Sequence, residues 1–254
     1  MSMDTFIRRA AKAILSQRMR DQLTSQRRKH RLQWPRAGTI DFGGFDRLNP
    51  VSDVFGFDRG QAIDRYYIEA FLDRHKADIT GRCLELGDPA YIEKYGHDVL
   101  QTDVLHYVEG NPQATLVGDL TDAPNIPDNS FDCVIFTQTI QMIYEPRRAL
   151  ETLHRILKPG GVALVTTAGI AKIGRRLGRD PWGEYWHFTS QSLGAMVAEY
   201  WPKAGIEIDT FGNVMSACSF LQGLAAEELL PEHLNHRDED FEVLVTARLQ
   251  KALT

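Results

Sequence analysis

Three groups of residues in this 254-residue chain have the types and spacing to do chemistry. Asp119 closes an apolar run, Ala114-Thr-Leu-Val-Gly-Asp119. Thr137-Gln-Thr-Ile-Gln141 follows a second run, Cys133 to Phe136. The third group is Asp180-Pro-Trp-Gly-Glu-Tyr-Trp-His-Phe-Thr189, which sets Trp182, Tyr185 and Trp186 around Glu184 and His187. A carboxylate at a strand tip accepts hydrogen bonds from ligand hydroxyls, and Thr and Gln beside it orient a polar ligand. His187 has the side chain whose ordinary pKa lies near neutrality, which makes it the candidate general base. Aromatic rings beside polar groups suit a ligand with apolar faces and a polar edge, such as a sugar.

These residues need a scaffold, and the pattern supplies one. Strands are expected at Arg82–Leu86, Val99–Thr102, Thr115–Gly118, Cys133–Phe136, Val162–Thr167, Ile206–Phe211 and Phe241–Arg248. Helices are expected at Gln61–Arg74, Pro89–Tyr95, after Gln141 and at Ser190–Trp201, with Lys158-Pro-Gly-Gly161 read as a turn. Strands alternating with helices through short turns build a parallel sheet covered by helices, and ligands bind beyond the carboxyl ends of its strands.

Phe131-Asp-Cys-Val-Ile-Phe136, the helix after Gln141 and Leu157-Lys-Pro-Gly-Gly161 before the next strand resemble the second half of a class I S-adenosylmethionine-dependent methyltransferase of the type-11 kind. The resemblance covers roughly residues 81–212. It implies an α/β, doubly wound, Rossmann-like sheet of seven strands with the last antiparallel. With the residue pattern before it, the chain is expected to divide into a basic N-terminal helix (1–36), a lid segment with one helix (37–80) and the methyltransferase domain (81–254).

The resemblance further implies S-adenosylmethionine as cofactor. Asp103, at the expected end of the second strand, takes the place of the ribose-binding acid. Asp119 takes that of the adenine-binding acid, with Leu120 against the ring. Glu85, Gly87 and Asp88 stand in the first loop, and Thr137 and Gln138 run beside the sulfonium. Gln141, Tyr144, Trp182, Tyr185 and Trp186 are the expected acceptor contacts. The family's first loop carries two further glycines, where this chain has Asp88-Pro-Ala-Tyr91. Asp88 and Pro89 are good N-cap and first-turn residues, so the helix N-terminus is expected to stay open to the cofactor's carboxylate.

The acceptor implied is a small polar molecule or a glycan, methylated on oxygen, in polysaccharide biosynthesis. A second reading is a non-catalytic, partner-binding member of the fold. A nicotinamide-dependent oxidoreductase would want a glycine fingerprint that a single Gly87 does not make.

Charge separates the ends of the chain. Residues 1–36 carry a net +8 within a total of −5, so the remainder is acidic and argues against nucleic acid as partner. Residues 3–31, without Gly or Pro, read as one basic helix with Phe6, Ile7, Ala10, Ala11, Ile14 and Leu15 on a stripe. Such a helix either lies on an anionic membrane surface or stays solvated. No signal peptide or membrane-spanning run is read, and Cys83 and Cys133 in apolar strands fit reduced thiols in a cytoplasm. No Cys/His spacing suggests a metal.

Overall fold

The computed structural model describes residues 16–30, 39–174 and 183–253, and the chain divides into two compact units, 1–48 and 49–254. In the first unit, α1 (Gln17–Lys29) confirms a helix over the middle of the basic segment. Ser16 Oγ accepts from the Met19 amide at 3.4 Å, and Met19 and Leu23, one turn apart, are half exposed. The stripe from Phe6 to Leu15 lies outside the described residues.

The second unit begins at Asn49, so the lid segment is not separated from the domain at residue 80 as expected. Its helix α2 (Ile63–Arg74) buries Ile63, Tyr67, Ile68, Phe71 and Leu72. Tyr67 donates to the Leu234 carbonyl at 3.0 Å, and Ala62 bridges Ala225, which ties this segment to the C-terminal third of the chain.

The sheet follows: β1 (Gly81–Leu86), α3 (Ala90–Tyr95), β2 (Val99–His106), β3 (Leu116–Val117), β4 (Phe131–Thr137), α4 (Pro146–Ile156) and β5 (Leu157–Ala168). Then come α5 (Ser190–Val197), β6 (Ile206–Phe211), α6 (Val214–Leu221), α7 (Pro231–Asn235) and β7 (Leu244–Gln250). The order is β3-β2-β1-β4-β5-β7-β6, parallel except for β7, which runs antiparallel to both neighbours. This is the seven-stranded arrangement that the resemblance implied. Order reverses between β1 and β4, and a crevice opens at such a switch point.

Alternation assigns the two faces. Leu84, Val134, Phe136, Ala163 and Val165 point into one apolar cluster with α4 and α5, whereas Cys83, Cys133, Ile135 and Leu164 point into the other with α2 and α6. A sheet buried on both faces explains the continuous apolar runs of its central strands. α4 reads Pro146 at its first turn and Ala149, Leu150, Leu153 and Ile156 on the buried side, the period of an amphipathic helix.

Several boundaries differ from expectation. α5 stops at Val197 rather than Trp201, and β7 starts at Leu244 rather than Phe241. Lys158–Gly161 is a bulged start of β5 rather than a free turn. Gly160 sits at φ +79°, and a Cβ on Gly161 would come within 2.9 Å of the Lys158 carbonyl. β2 is the consequential case, because it runs on to His106 and leaves Asp103 inside the strand, paired with Leu84. Asp103 is buried and accepts from Arg82 Nε at 2.8 Å, Gln101 Nε2 at 3.0 Å and Thr115 Oγ1 at 3.0 Å. A charge inside an apolar strand reads as a strand end only until its cation is seen beside it.

Asp103→Asn should therefore lower unfolding free energy by about 1–3 kcal/mol in urea titrations, because it removes a charge-assisted acceptor from three donors. Affinity for any ligand of the cavity should stay within twofold of the parent chain.

Candidate functional site

At the switch point lies a cavity of about 1180 Å³, walled by the carboxyl ends of β1, β2 and β4 and by residues 53–57, α2 and the stretch after β5. Its floor is organised by Glu85, the penultimate residue of β1. The Glu85 carboxylate is buried and accepts from the Tyr91 amide at 3.1 Å and the Ile92 amide at 2.8 Å. Asp88 Oδ1 takes the Ala90 amide at 3.0 Å, with Pro89 at the cap position. The N-terminus of α3 is thus satisfied from within and is not open to a ligand carboxylate as expected. Gly87, at φ +91°, faces open space where a Cβ would stand, so backbone is exposed to the cavity there. Asn111 Nδ2 pins its carbonyl at 2.6 Å.

Asp119 and Leu120 line the wall past β3, where Asp119 Oδ1 accepts from the Thr121 amide at 2.9 Å and Leu120 is buried. Asp103 does not line the cavity. The position it was expected to hold, at the tip of β2, belongs to His106, whose Nδ1 meets the Val108 carbonyl at 2.8 Å. The cavity keeps Asp119 and Leu120 side by side on its wall. It does not offer the expected acid for a ribose diol at the β2 tip.

Thr137 and Gln138 cross the tip of β4 into the cavity. Gln138 holds φ +46°, a left-handed conformation that costs about 1 kcal/mol outside glycine. A chain of contacts fixes it: its amide donates to the Thr166 carbonyl at 2.9 Å, and its Oε1 accepts from Gln141 Nε2 at 2.6 Å. Buried Gln141 in turn accepts from Thr167 Oγ1 at 3.0 Å. The Gln141 carbonyl accepts from the amides of Tyr185 and Trp186 at 2.9 and 3.2 Å, so one residue holds both the strand tip and the aromatic segment.

That segment arranges itself differently from expectation. Tyr185 reaches the cavity beside Tyr144, ring centroids 5.3 Å apart and edge to face. Trp186 turns away and donates Nε1 to the Ile143 carbonyl at 3.0 Å, and Trp182 lies outside the described residues. His187 is not on the cavity wall either. Its Nε2 meets Glu184 Oε1 at 3.1 Å, and it is Glu184, with a side chain only 5% exposed, that lines the cavity. The other Glu184 oxygen accepts from the Gly174 amide. A histidine is the salient residue in sequence, but the strand-to-helix connection presents the carboxylate three residues before it.

The wall contributed by residues 53–65 was foreseen only as a lid. Phe55 packs on Phe220 at 5.9 Å and lies under Lys172 Nζ at 4.3 Å. Phe57 is about half exposed at the rim. Asp64 and Arg65, at the start of α2, also line the cavity and carried no sequence motif to announce them. Arg59, in the turn Asp58-Arg59-Gly60, forms an ion pair with Glu228. Among the described residues no cluster of His, Cys, Asp or Glu is arranged to hold a metal.

Burial pushes the Glu85 carboxyl up from its ordinary 4.5 to about 8, against the pull of the two amides. The folded chain then keeps a proton that the unfolded chain releases, so unfolding free energy should fall as pH rises between those values, by at most about 1.4 kcal/mol per unit. The contribution is complete below the lower value and lost through the upper one. Glu85→Gln, neutral at every pH, should flatten this slope in urea titrations from pH 5 to 8.5.

Residues 87–165 match the family model of a methyltransferase domain. Over 140 residues the chain is 34% identical to the ubiquinone/menaquinone biosynthesis C-methyltransferase UbiE of Escherichia fergusonii, covering 54% of this chain and 48% of that one. The figures for UbiE of Enterobacter sp. (strain 638) are 31% identity over 140 residues, with the same coverage. The chain thus spans about half the length of the curated relatives it matches. Among solved structures, an S-adenosylmethionine-dependent methyltransferase from Mesorhizobium loti aligns at TM-score 0.46 and 16% identity over 77% of this chain and 100% of that one. The matched segment runs from Gly87 to Val165 in β5 and carries the switch-point loops, so this part of the chain is similar to a methyltransferase domain and lies on a Rossmann-like sheet.

Proposed function

We propose that the cavity binds S-adenosylmethionine across the switch point and that the chain transfers its methyl group to an oxygen of a small polar or glycan acceptor. The observation that carries this reading is one continuous cavity with two differently built ends. Asp119 and Leu120 suit a nucleobase at one end. Tyr144, Tyr185, Glu184 and Lys172 suit a polar molecule with apolar faces at the other.

The cofactor supplies an electrophilic methyl on a sulfonium, displaced in line by the acceptor. The chain's part is to align, to dry the site and to take a proton. Thr137 and the strained Gln138 tip fix the boundary between the two ends. Glu184 accepts the acceptor's proton, and His187, bonded to its other side, steadies the carboxylate. Lys172 and the tyrosine pair cover the acceptor.

The aromatic wall of Phe55, Phe57 and Phe220 favours one alternative acceptor, a flat apolar ring methylated on carbon, the kind of reaction named for the UbiE relatives. A peripheral membrane contact through residues 1–36, a cytoplasmic setting and a place in polysaccharide biosynthesis belong to the same proposal. No described helix is long and apolar enough to cross a membrane.

Titration calorimetry should give micromolar binding of S-adenosylmethionine and S-adenosylhomocysteine, weakened about tenfold or more in Asp119→Ala. No heat from the folded parent chain would favour the non-catalytic reading. In a labelled-methyl acceptor screen, Glu184→Gln should lower kcat about a hundredfold with an alcohol acceptor. Methylation of carbon acceptors alone would replace the glycan reading with the ring reading.

A further inference from the structure

The end of the cavity beside β1 poses a physical problem. A zwitterionic amino-acid group placed there needs a cation for its carboxylate and an acceptor for its ammonium. The first loop offers only acids, Glu85 and Asp88, and the three leading amides of α3 are already taken by those two carboxylates. Of the described residues on the cavity wall, Arg65 and Lys172 alone carry a fixed positive charge; Arg65 meets Asp64 and the Phe57 ring, Lys172 the Asp53 carbonyl and the Phe55 ring, and Lys172 follows β5, two strands away from the loop after β1.

Arg65 stands where the missing cation is needed. Helix α2 packs beside α3, and Glu69 of α2 pairs with Lys94 of α3 at 2.8 Å. Arg65 is one turn before Glu69 on the same helical face, and Tyr91 is one turn before Lys94. The two helices therefore run alongside each other in the same direction, and Arg65 falls beside Tyr91 at the mouth of the loop. The charges of both Arg65 and Asp64 are felt at the Tyr91 hydroxyl, whose pKa burial pushes up to about 12. Arg65 Nη1 is held by Asp64 Oδ2 at 3.1 Å. The second carboxylate oxygen, Asp64 Oδ1, is buried without any hydrogen-bond partner, and burial raises the Asp64 pKa.

We infer that Arg65, its guanidinium held by Asp64 Oδ2, forms a clamp for the carboxylate at the amino-acid end of the cofactor. The clamp rests on the reading of the cavity as an S-adenosylmethionine site. It places on α2 a task that the glycine-poor loop between β1 and α3 does not perform.

The test compares two ligands that share the nucleoside thioether and differ in the amino-acid end: S-adenosylhomocysteine and 5′-methylthioadenosine. With the full chain, Arg65→Gln should weaken S-adenosylhomocysteine about tenfold or more in calorimetry and leave 5′-methylthioadenosine within twofold. Arg65→Lys should recover part of the loss, because charge remains without the planar fork. Asp64→Asn should show the same selectivity. Equal loss for both ligands, or none for either, with an unchanged melting temperature, would overturn the clamp while leaving the cofactor site standing. Failure of the parent chain to bind either ligand would overturn the cofactor site and the clamp together.

Discussion

The site depends on the carboxylate that β1 delivers to the start of α3. Helix N-termini present amides that must find acceptors, and in a phosphate- or carboxylate-binding loop the ligand supplies them. Here Glu85 and Asp88 supply them permanently. The loop is consequently rigid and self-satisfied, and it faces the cavity with the bare backbone of Gly87 rather than with a charged helix end. Once that turn is closed from within, affinity for an anionic group has to come from elsewhere in the cavity wall.

The far end of the cavity shows a different economy. Gln141 is buried, yet all its side-chain and carbonyl contacts serve neighbours: Gln138 on one side, Thr167 below, Tyr185 and Trp186 beyond. An amide bonded through both its oxygen and its nitrogen is cheaper to bury than an unpaired one and favours one arrangement of three segments. The left-handed turn at Gln138 survives because this network over-determines it. Glu184, similarly enclosed by the Gly174 amide and His187, reaches the cavity as a positioned acceptor and not as a mobile surface acid.

Much of the sheet was legible because a strand buried on both faces leaves an unbroken apolar run, as in Cys133–Phe136, and β6 matched at both ends. What sequence did not disclose was pairing across strands. Asp103 looked like a strand tip because a charge interrupts the apolar pattern, and only the position of Arg82 on the neighbouring strand shows how it is tolerated inside β2. His187 stood out by its titration range, but connection geometry, not residue type, chose Glu184 for the wall. Asp64 and Arg65 sit in an amphipathic helix whose polar residues look like solvated surface until the helix is laid against α3. Asp119, Leu120, Thr137 and Gln138 reach the cavity wall as the sequence led one to expect, because each lies within three residues of a recognisable strand end.

The position of β7 has a consequence for how the chain reaches this state. β6 has no partner in the sheet other than β7, and β7 lies between it and β5. Residues 157–168 must therefore wait for residues 244–250 before the sheet can extend, a closure across some eighty residues of chain. During synthesis, the five strands from β3 to β5 are complete while β5 still presents an open, apolar edge. That interval makes the nascent chain a candidate for edge-to-edge misassembly and for chaperone capture, and it ends only when the last strand slides into the gap.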